Sequence, residues 1–330
     1  MRIMIAHYNP TQGGGAESAV RDQAEALRRL GHDVHVEFVD PIRAYIQQRP
    51  DIVHFHTIHV GWHLTPLQWA QAQGIPHCIS LHDYWPFCGT RMLLKAFDRP
   101  CAAVDGVCDG DCSGAPADQS VRPMVNESPV VTFNEHSAAI LRRHGVRVDV
   151  VIPHGIDTGF FSPPQHGAGG RPGPVQIITT SAWPEYPTKG MHVLRAALRL
   201  AGLNAKLVAH VPREQVRDEL RNASVYVFPS CYEETWGLGL TEAMACGLAC
   251  VSSDVCGPRE QLTGEPERGI LVPPRDPEAL AGALKRLAFD PDLRDRLGAN
   301  ARAWTAEHCT LERMGRDYEA FYRQVIDGRA

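Results

Sequence analysis

Pro229-Ser230-Cys231-Tyr232-Glu233-Glu234-Thr235-Trp236-Gly237-Leu238-Gly239-Leu240-Thr241-Glu242 follows the apolar run Val225–Pro229 and continues into Ala243, Met244 and Ala245. A short apolar strand that passes through a glycine-bearing loop into a helix is the building unit of a parallel sheet covered by helices. In such sheets ligands bind beyond the C-terminal ends of the strands, where helix N-termini point. Glu234 falls in the loop, and Glu242 follows eight residues later on the first turns of the helix. Backbone N–H groups around Trp236–Leu238 suit a diphosphate, and the two carboxylates suit sugar hydroxyls. The plainer reading is a helix whose N-terminal acids complement its dipole.

The same alternation extends outward in both directions. In the second half, Val175–Thr180, Lys206–Ala209 and Ala249–Ser253 read as further strands. Helical spacing marks Lys189–Leu200, Arg213–Asn222, Thr241–Cys246 and Pro277–Leu287. The first half predicts strands at Arg2–Tyr8, His32–Phe38, Asp51–Thr57, His77–His82, Val130–Asn134 and near Val150–Gly155. Helices are expected at Ala16–Leu30, ended by Gly31, and near Leu64–Gln73 and Glu135–His144. Residues 162–174, rich in Pro, Gly and polar side chains, read as a linker. The expectation is an α/β protein of two Rossmann-like domains facing each other across a cleft. Residues 1–155 form the first domain, with a Cys-rich insertion at 84–127, and residues 156–312 the second. Pro291–Ile326 reads as mostly helical. Its last part, 313–330, carries Met314, Tyr318, Phe321, Tyr322 and Ile326 at helical spacings, an apolar stripe expected to return to the first domain.

Composition narrows the class. A chain of 330 residues exceeds the roughly 250–300 at which a single core stops growing, which agrees with two domains. The 44% hydrophobic and 22% charged shares exclude a wholly disordered chain. A formal net charge of -5 gives no sign of a nucleic-acid binder. The apolar start, Met-Arg-Ile-Met-Ile, is too short for a signal-peptide core, and no stretch reaches the roughly 18 apolar residues of a membrane span. A cytoplasmic protein with reduced thiols is the expectation, compatible with peripheral contact at the inner membrane.

Three further groups of residues invite chemistry. Gly13-Gly14-Gly15 lies between the first strand and the first helix, where glycine lets a ligand approach the backbone and the helix end favours an anion. It matches neither Gly-x-Gly-x-x-Gly nor a Walker loop, so a flexible turn is the competing reading. Cys88, Cys101, Cys108 and Cys112 could hold a structural Zn²⁺, although gaps of twelve, six and three residues do not form paired Cys-x2-Cys knuckles. Reduced thiols or a local disulfide pair are the alternatives. His54, His56, His59 and His63 also look like ligands, but only His54 and His56 share a strand face, and cleft lining is the plainer account.

In their order along the chain these pieces resemble glycosyltransferase family 4, retaining enzymes of the GT-B fold. Glu234-x7-Glu242 followed by Ala-Met-Ala-Cys-Gly resembles the family signature, Gly13-Gly14-Gly15-Ala16-Glu17 its N-terminal glycine loop, and Asp51-Ile52-Val53-His54-Phe55-His56 its third-strand motif. Leu81-His82-Asp83-Tyr84-Trp85 resembles the histidine motif, as in bacterial members with a cysteine loop behind it. Ile152-Pro153-His154-Gly155-Ile156-Asp157 resembles the hinge, Thr188-Lys189-Gly190 the phosphate lysine, and Gly269-Ile270-Leu271-Val272-Pro273-Pro274 a late motif of the second domain.

The resemblance implies a hexosyltransferase-type reaction, from a nucleotide-diphosphate sugar to an acceptor hydroxyl of a glycan, lipid-linked or small molecule, in bacterial glycan or glycoconjugate synthesis. It implies that Glu242 binds ribose, Glu234 the donor sugar, and Lys189 the diphosphate, with N–H groups near Trp236, Gly237 and Leu238. Gly14 and Gly15 would border the donor, His82 would lie at the reacting sugar, and His56 and Asp83 on the acceptor side. No metal is then required for catalysis. Two departures stand out. The family's Gly-Arg-Leu before the lysine is replaced by Ser181-Ala182-Trp183-Pro184, so another cation, such as Arg259, would have to serve. The chain also runs from Leu207-Val208-Ala209 almost directly into a helix, one strand–helix unit short. A nucleotide-sugar binder without turnover, or a metal- or redox-regulated protein built on the cysteine loop, are the alternatives.

Overall fold

The computed structural model describes residues 1–7, 14–38, 40–56, 64–88, 90–95, 99–105, 121–164 and 174–328. The chain divides into two compact units, Met1–Gly155 with Leu311–Ala330, and Ile156–Thr310.

Unit 1 is built on strands β1 (Arg2–His7), β2 (Asp33–Glu37), β3 (Ile52–His56), β4 (His77–Ser80), β5 (Leu94–Lys95), β6 (Arg99–Pro100), β7 (Val130–Thr132) and β8 (Val150–Val151). Its helices are α1 (Gly15–Arg29), α2 (Pro41–Gln48), α3 (Leu64–Ala72), α4 (Val121–Asn126) and α5 (Glu135–Arg143). Six strands form one parallel sheet in the order β2-β1-β3-β4-β7-β8. β3 is buried along its whole length and β1 from Ile3 onward, as expected of parallel strands covered on both faces. Within the stretch read as a cysteine-rich insertion, β5 and β6 make a small antiparallel pair, and α4 closes it. Residues 106–120, with Cys108 and Cys112, lie outside the described residues, as do Gly13, His59 and His63.

Unit 2 carries β9 (Ile177–Thr180), β10 (Ala205–Val208), β11 (Val225–Phe228), β12 (Ala249–Ser253) and β13 (Ile270–Val272), parallel in the order β10-β9-β11-β12-β13. Helices α6 (Met191–Ala201), α7 (Arg213–Asn222), α8 (Leu238–Ala245), α9 (Cys256–Leu262), α10 (Pro277–Phe289) and α11 (Pro291–His308) cover it. Residues 209–212 alone join β10 to α7, the short connection read from the sequence. Asp276 and Asp290 cap α10 and α11 by accepting from Ala279 N and Leu293 N, each with a proline at the first helical position.

The C-terminal stretch is two helices rather than one. α11 stops at Cys309, and α12 (Leu311–Ile326) begins after Thr310. The break has a partner: Ile156 N donates to Cys309 O at 2.9 Å, and Ile156 bridges Thr310. Beyond it the stripe Leu311, Met314, Tyr318, Phe321 and Tyr322 enters the core of unit 1, against Ile3, Val20, Leu27 and Ile52. Gly315 lets α12 approach α1 closely, because a β-carbon there would lie 3.1 Å from Ala26 O.

The helix also makes polar contacts in this core. Gln23 Nε2 donates to Tyr322 Oη at 2.7 Å, and Tyr322 Oη lies 2.6 Å from His54 Nδ1. Tyr322→Phe removes both bonds, while Gln23 Nε2 still lies 2.9 Å from His54 Nδ1. It is expected to destabilise unit 1 by about 0.5–1.5 kcal/mol while preserving the fold, which urea denaturation would measure.

Candidate active site

Unit 2 gathers its functional groups where β9 and β11 end. A 3-10 turn, Pro187–Lys189, precedes Gly190, whose φ of +70° suits glycine. A β-carbon at Gly190 would fall 1.7 Å from Pro229 O, so the glycine is what allows this turn to lie on the loop after β11. Cys231 N donates to Thr188 O at 2.7 Å and ties the two segments together. Lys189 is thereby delivered to Glu234: Nζ lies 2.8 Å from Oε1, with the lysine side chain 28% and the carboxylate 10% exposed. Tyr232 completes the group. Its hydroxyl donates to Glu234 Oε2 at 2.5 Å and accepts from Lys189 Nζ at 3.3 Å. Lys189, Glu234, Thr180, Ser181 and Ser230 line a shallow hollow.

The loop that holds Glu234 is anchored on its far side. Glu233 Oε2 accepts from Cys256 N at 3.0 Å, and Gly257 packs so closely that a β-carbon would lie 2.3 Å from Trp236 O. Trp236 is buried, its Nε1 donating to Thr241 Oγ1 at 3.0 Å, while Gln261 accepts from Thr241 and donates to Trp236 O. The indole and the carbonyl of Trp236 are thus both engaged inside the protein. Gly237, with φ +96°, sits at the N-cap of α8, and Leu238 is the helix's first residue. Their N–H groups belong to the first turn, which has no intrahelical acceptors.

Glu242 stands on α8, its side chain 13% exposed, with Oε1 3.9 Å from Arg213 Nε. Arg213 also lies over Phe161, 5.0 Å from the ring centre. Neither Arg213 nor Tyr232 was identified from the sequence. Arg259, the cation suggested for the missing arginine, is engaged by Asp254 at 2.6 Å.

Unit 1 places its candidates at the C-terminal ends of β3 and β4. His56 Nδ1 and His82 Nε2 are 2.8 Å apart. His54 packs beside His56, ring centres 4.1 Å apart and tilted by 41°, and bonds Ser80 Oγ through Nε2 at 2.8 Å. His82 rests on Phe133 at 4.7 Å and on His154 at 5.6 Å. Burial pushes His54 and His154 down to about 3 and holds His56 and His82 well below the ordinary value, so this layer is neutral at pH 7. Asp83 accepts from Trp85 N at 3.0 Å; burial raises its carboxyl to about 6 against the pull of Arg91.

Gly14 is extended and caps α1, and a β-carbon on it would lie 2.1 Å from Glu17 Oε2. The protein's own buried carboxylate therefore faces the end of α1 where an anion was anticipated. A β-carbon on Gly15 would meet no atom of the described residues within 4 Å. Cys88 and Cys101 are buried, with Cys88 Sγ 3.4 Å from Thr90 Oγ1 and Cys101 Sγ accepting from Ala103 N. Among the described residues no group of three or more His, Cys, Asp or Glu is suited to hold a metal ion.

The glycosyl transferases group 1 family matches residues 191–304, a span that contains both Glu234 and Glu242. Alpha-maltose-1-phosphate synthase of Mycolicibacterium smegmatis is 31% identical, with 98% of each chain covered. Phosphatidyl-myo-inositol mannosyltransferase of the same organism is 30% identical over 93% of this chain and 89% of that one. The chain belongs to the glycosyl transferases group 1 family. Other relatives match this glycosyltransferase only locally: the D-inositol 3-phosphate glycosyltransferase of Streptomyces bingchenggensis is 40% identical over 33% of this chain and 22% of its own length. In fold, the glycosyltransferase is like Anabaena HepE, solved in complex with UDP-glucose, with a TM-score of 0.75 at 15% identity over 98% of this chain and 100% of that one. Its two Rossmann-like units are those of the GT-B fold. No helix among the described residues is long and apolar enough to cross a membrane.

Proposed function

We propose that this glycosyltransferase moves a sugar from a nucleotide-diphosphate sugar to an acceptor hydroxyl, with retention at the anomeric carbon, in bacterial glycan or glycoconjugate synthesis. The observation that carries the reading is the Lys189–Glu234–Tyr232 group in a hollow beside the first turn of α8. Lys189 and the N–H groups of Gly237 and Leu238 neutralise charge that grows on the leaving diphosphate. Glu234 accepts from hydroxyls of the donor sugar, Glu242 from those of the ribose, and His82 acts at the reacting sugar. The lysine and the helix end supply the positive charge, so the proposed step is routed through no metal. HepE with UDP-glucose and the relatives named as transferring or building sugars support this class of donor.

The roles of the two acids separate in experiment. Hydrogen bonds to a charged group contribute roughly 1.5–3 kcal/mol each, so Glu242→Ala is expected to weaken nucleotide binding about tenfold or more. Glu234→Ala is expected to lower turnover more than affinity, since bonds to the reacting sugar strengthen in the transition state. Calorimetric titration with UDP and other nucleoside diphosphates, beside transfer assays on a panel of nucleotide sugars, gives both quantities. Unchanged nucleotide affinity in the Glu242 variant overturns its assignment. Selective nucleotide-sugar binding without hydrolysis or transfer points instead to a binding protein, the reading that the absent arginine favours.

A further inference from the structure

We infer that His56 is a positioning residue that fixes the tautomer and ring orientation of His82; the inference rests on the role proposed for His82 above. The two rings share a hydrogen bond, Nδ1 of His56 to Nε2 of His82, at 2.8 Å. A neutral imidazole carries one N–H, so one ring donates here and the other accepts. His56 is 2% exposed, and among the described residues its Nε2 has no hydrogen-bond partner. If His56 accepted through Nδ1, its only proton would sit on Nε2 as an orphaned buried N–H, the rarer and costlier defect. The proton therefore belongs on His56 Nδ1. His82 accepts it at Nε2 and must hold its own proton on Nδ1.

The surroundings make this choice rigid. His54 packs against His56 and is itself held from both sides, by Ser80 Oγ at Nε2 and Tyr322 Oη at Nδ1. Phe133 and His154, stacked on each other at 3.9 Å, pack beside the His82 ring, and His56 bonds it at Nε2. Burial, reinforced by the neighbouring histidines, keeps both rings uncharged, so the arrangement does not dissolve into two imidazolium ions near neutral pH. His56 touches no substrate in this account. It turns His82 into a hydrogen-bond donor of defined direction at Nδ1, as an outer partner fixes the tautomer of a working histidine elsewhere.

Nitrogen-15 NMR of the histidine rings in the full-length protein tests the tautomer without any turnover, with His82 assigned by comparison with His82→Gln. The expected spectrum shows His82 protonated at Nδ1; protonation at Nε2 overturns the inference. His56→Leu is expected to mix the tautomers and to lower kcat on the order of tenfold or more, with donor KM within about twofold. His56→Asn places an amide N–H near the position of Nδ1 and is expected to restore most of kcat and the spectrum. A folded His56→Leu protein with unchanged kcat also overturns it. If that variant fails to fold, His56→Asn and the wild-type spectrum still decide. Absence of transfer in the wild-type protein defeats the proposed function and leaves the tautomer measurement standing.

Discussion

Lowering the pH from 7 to about 4.5 is expected to unfold unit 1 while unit 2 keeps its structure. His54, His56 and His154 are buried, at 0%, 2% and 4% exposure. Burial depresses all three, His54 and His154 to about 3 and His56 well below its ordinary value of 6.5. The unfolded chain binds protons at these rings near pH 6.5, whereas the folded chain resists them. The stability they confer is thus complete above about pH 6.5 and is lost as the pH falls toward the folded values. Each ring removes about 1.4 kcal/mol per pH unit across that window. His82 adds to this, but Asp83 works in the opposite sense: its carboxyl, raised to about 6, takes up a proton in the folded state first and stabilises it as the pH falls below 6. Both are only partly buried and roughly offset each other. Three rings leave a slope of about 4 kcal/mol per unit, enough to exhaust a domain stability of 5–15 kcal/mol within a few units. The described histidines of unit 2, His192, His210 and His308, are exposed. Hydrogen exchange resolved by peptide, corrected for intrinsic rates, distinguishes the units. Simultaneous loss of protection in both, or protection of residues 1–155 persisting below pH 4, contradicts the account.

The sheets were legible because parallel strands covered on both faces are short apolar runs, and helices between them show a period near 3.6. β1, β3, β11 and β12 stand where such runs predict them. The helices that escaped notice begin with residues that also make turns. α2 opens with Asp40-Pro41 and α9 with Cys256-Gly257-Pro258; a proline in the first turn of a helix costs little, but in sequence it looks like a break. The division of the C-terminal stretch at Cys309 had no such mark, since it is set by pairing with Ile156, far away in the chain. At the candidate site the same limit applies. Lys189, Glu234 and Glu242 stood out by their spacing and loop context. Tyr232 and Arg213 acquire meaning only from partners 43 and 29 residues distant, Lys189 and Glu242. At the glycine loop a helix end attracts an anion, and Glu17, on the first turn of α1, supplies one from the chain itself, a contact that the glycine pattern alone does not announce.

Replacing Lys189 by Met is expected to slow sugar transfer by about 10²–10³, the effect of deleting one preorganised charge-stabilising group. The substitution keeps the unbranched stem while removing the charge. It also deprives Glu234, 10% exposed, of the ammonium at 2.8 Å, so part of any loss could come from a disturbed loop. A double-variant cycle separates the two effects. Glu234→Gln in the Lys189→Met background removes the uncompensated carboxylate, and Tyr232 retains an acceptor in the amide oxygen. Thermal stability is then expected to recover toward wild type, because the lone buried charge has gone. Transfer is not expected to recover, because the lysine charge and the Glu234 carboxylate proposed to bind the donor sugar are both gone; Glu234→Gln alone gives the share that belongs to the carboxylate. Donor affinity in the single variant should fall less than turnover, since the phosphate charge is greatest as the bond to the sugar breaks. Single-turnover rates with saturating donor, read beside melting curves for the three variants, give the comparison. Transfer within about threefold of wild type in Lys189→Met would show that this lysine is a structural partner of Glu234 and nothing more. Stability and activity recovering together in the double variant would mean that the loss lay in the loop.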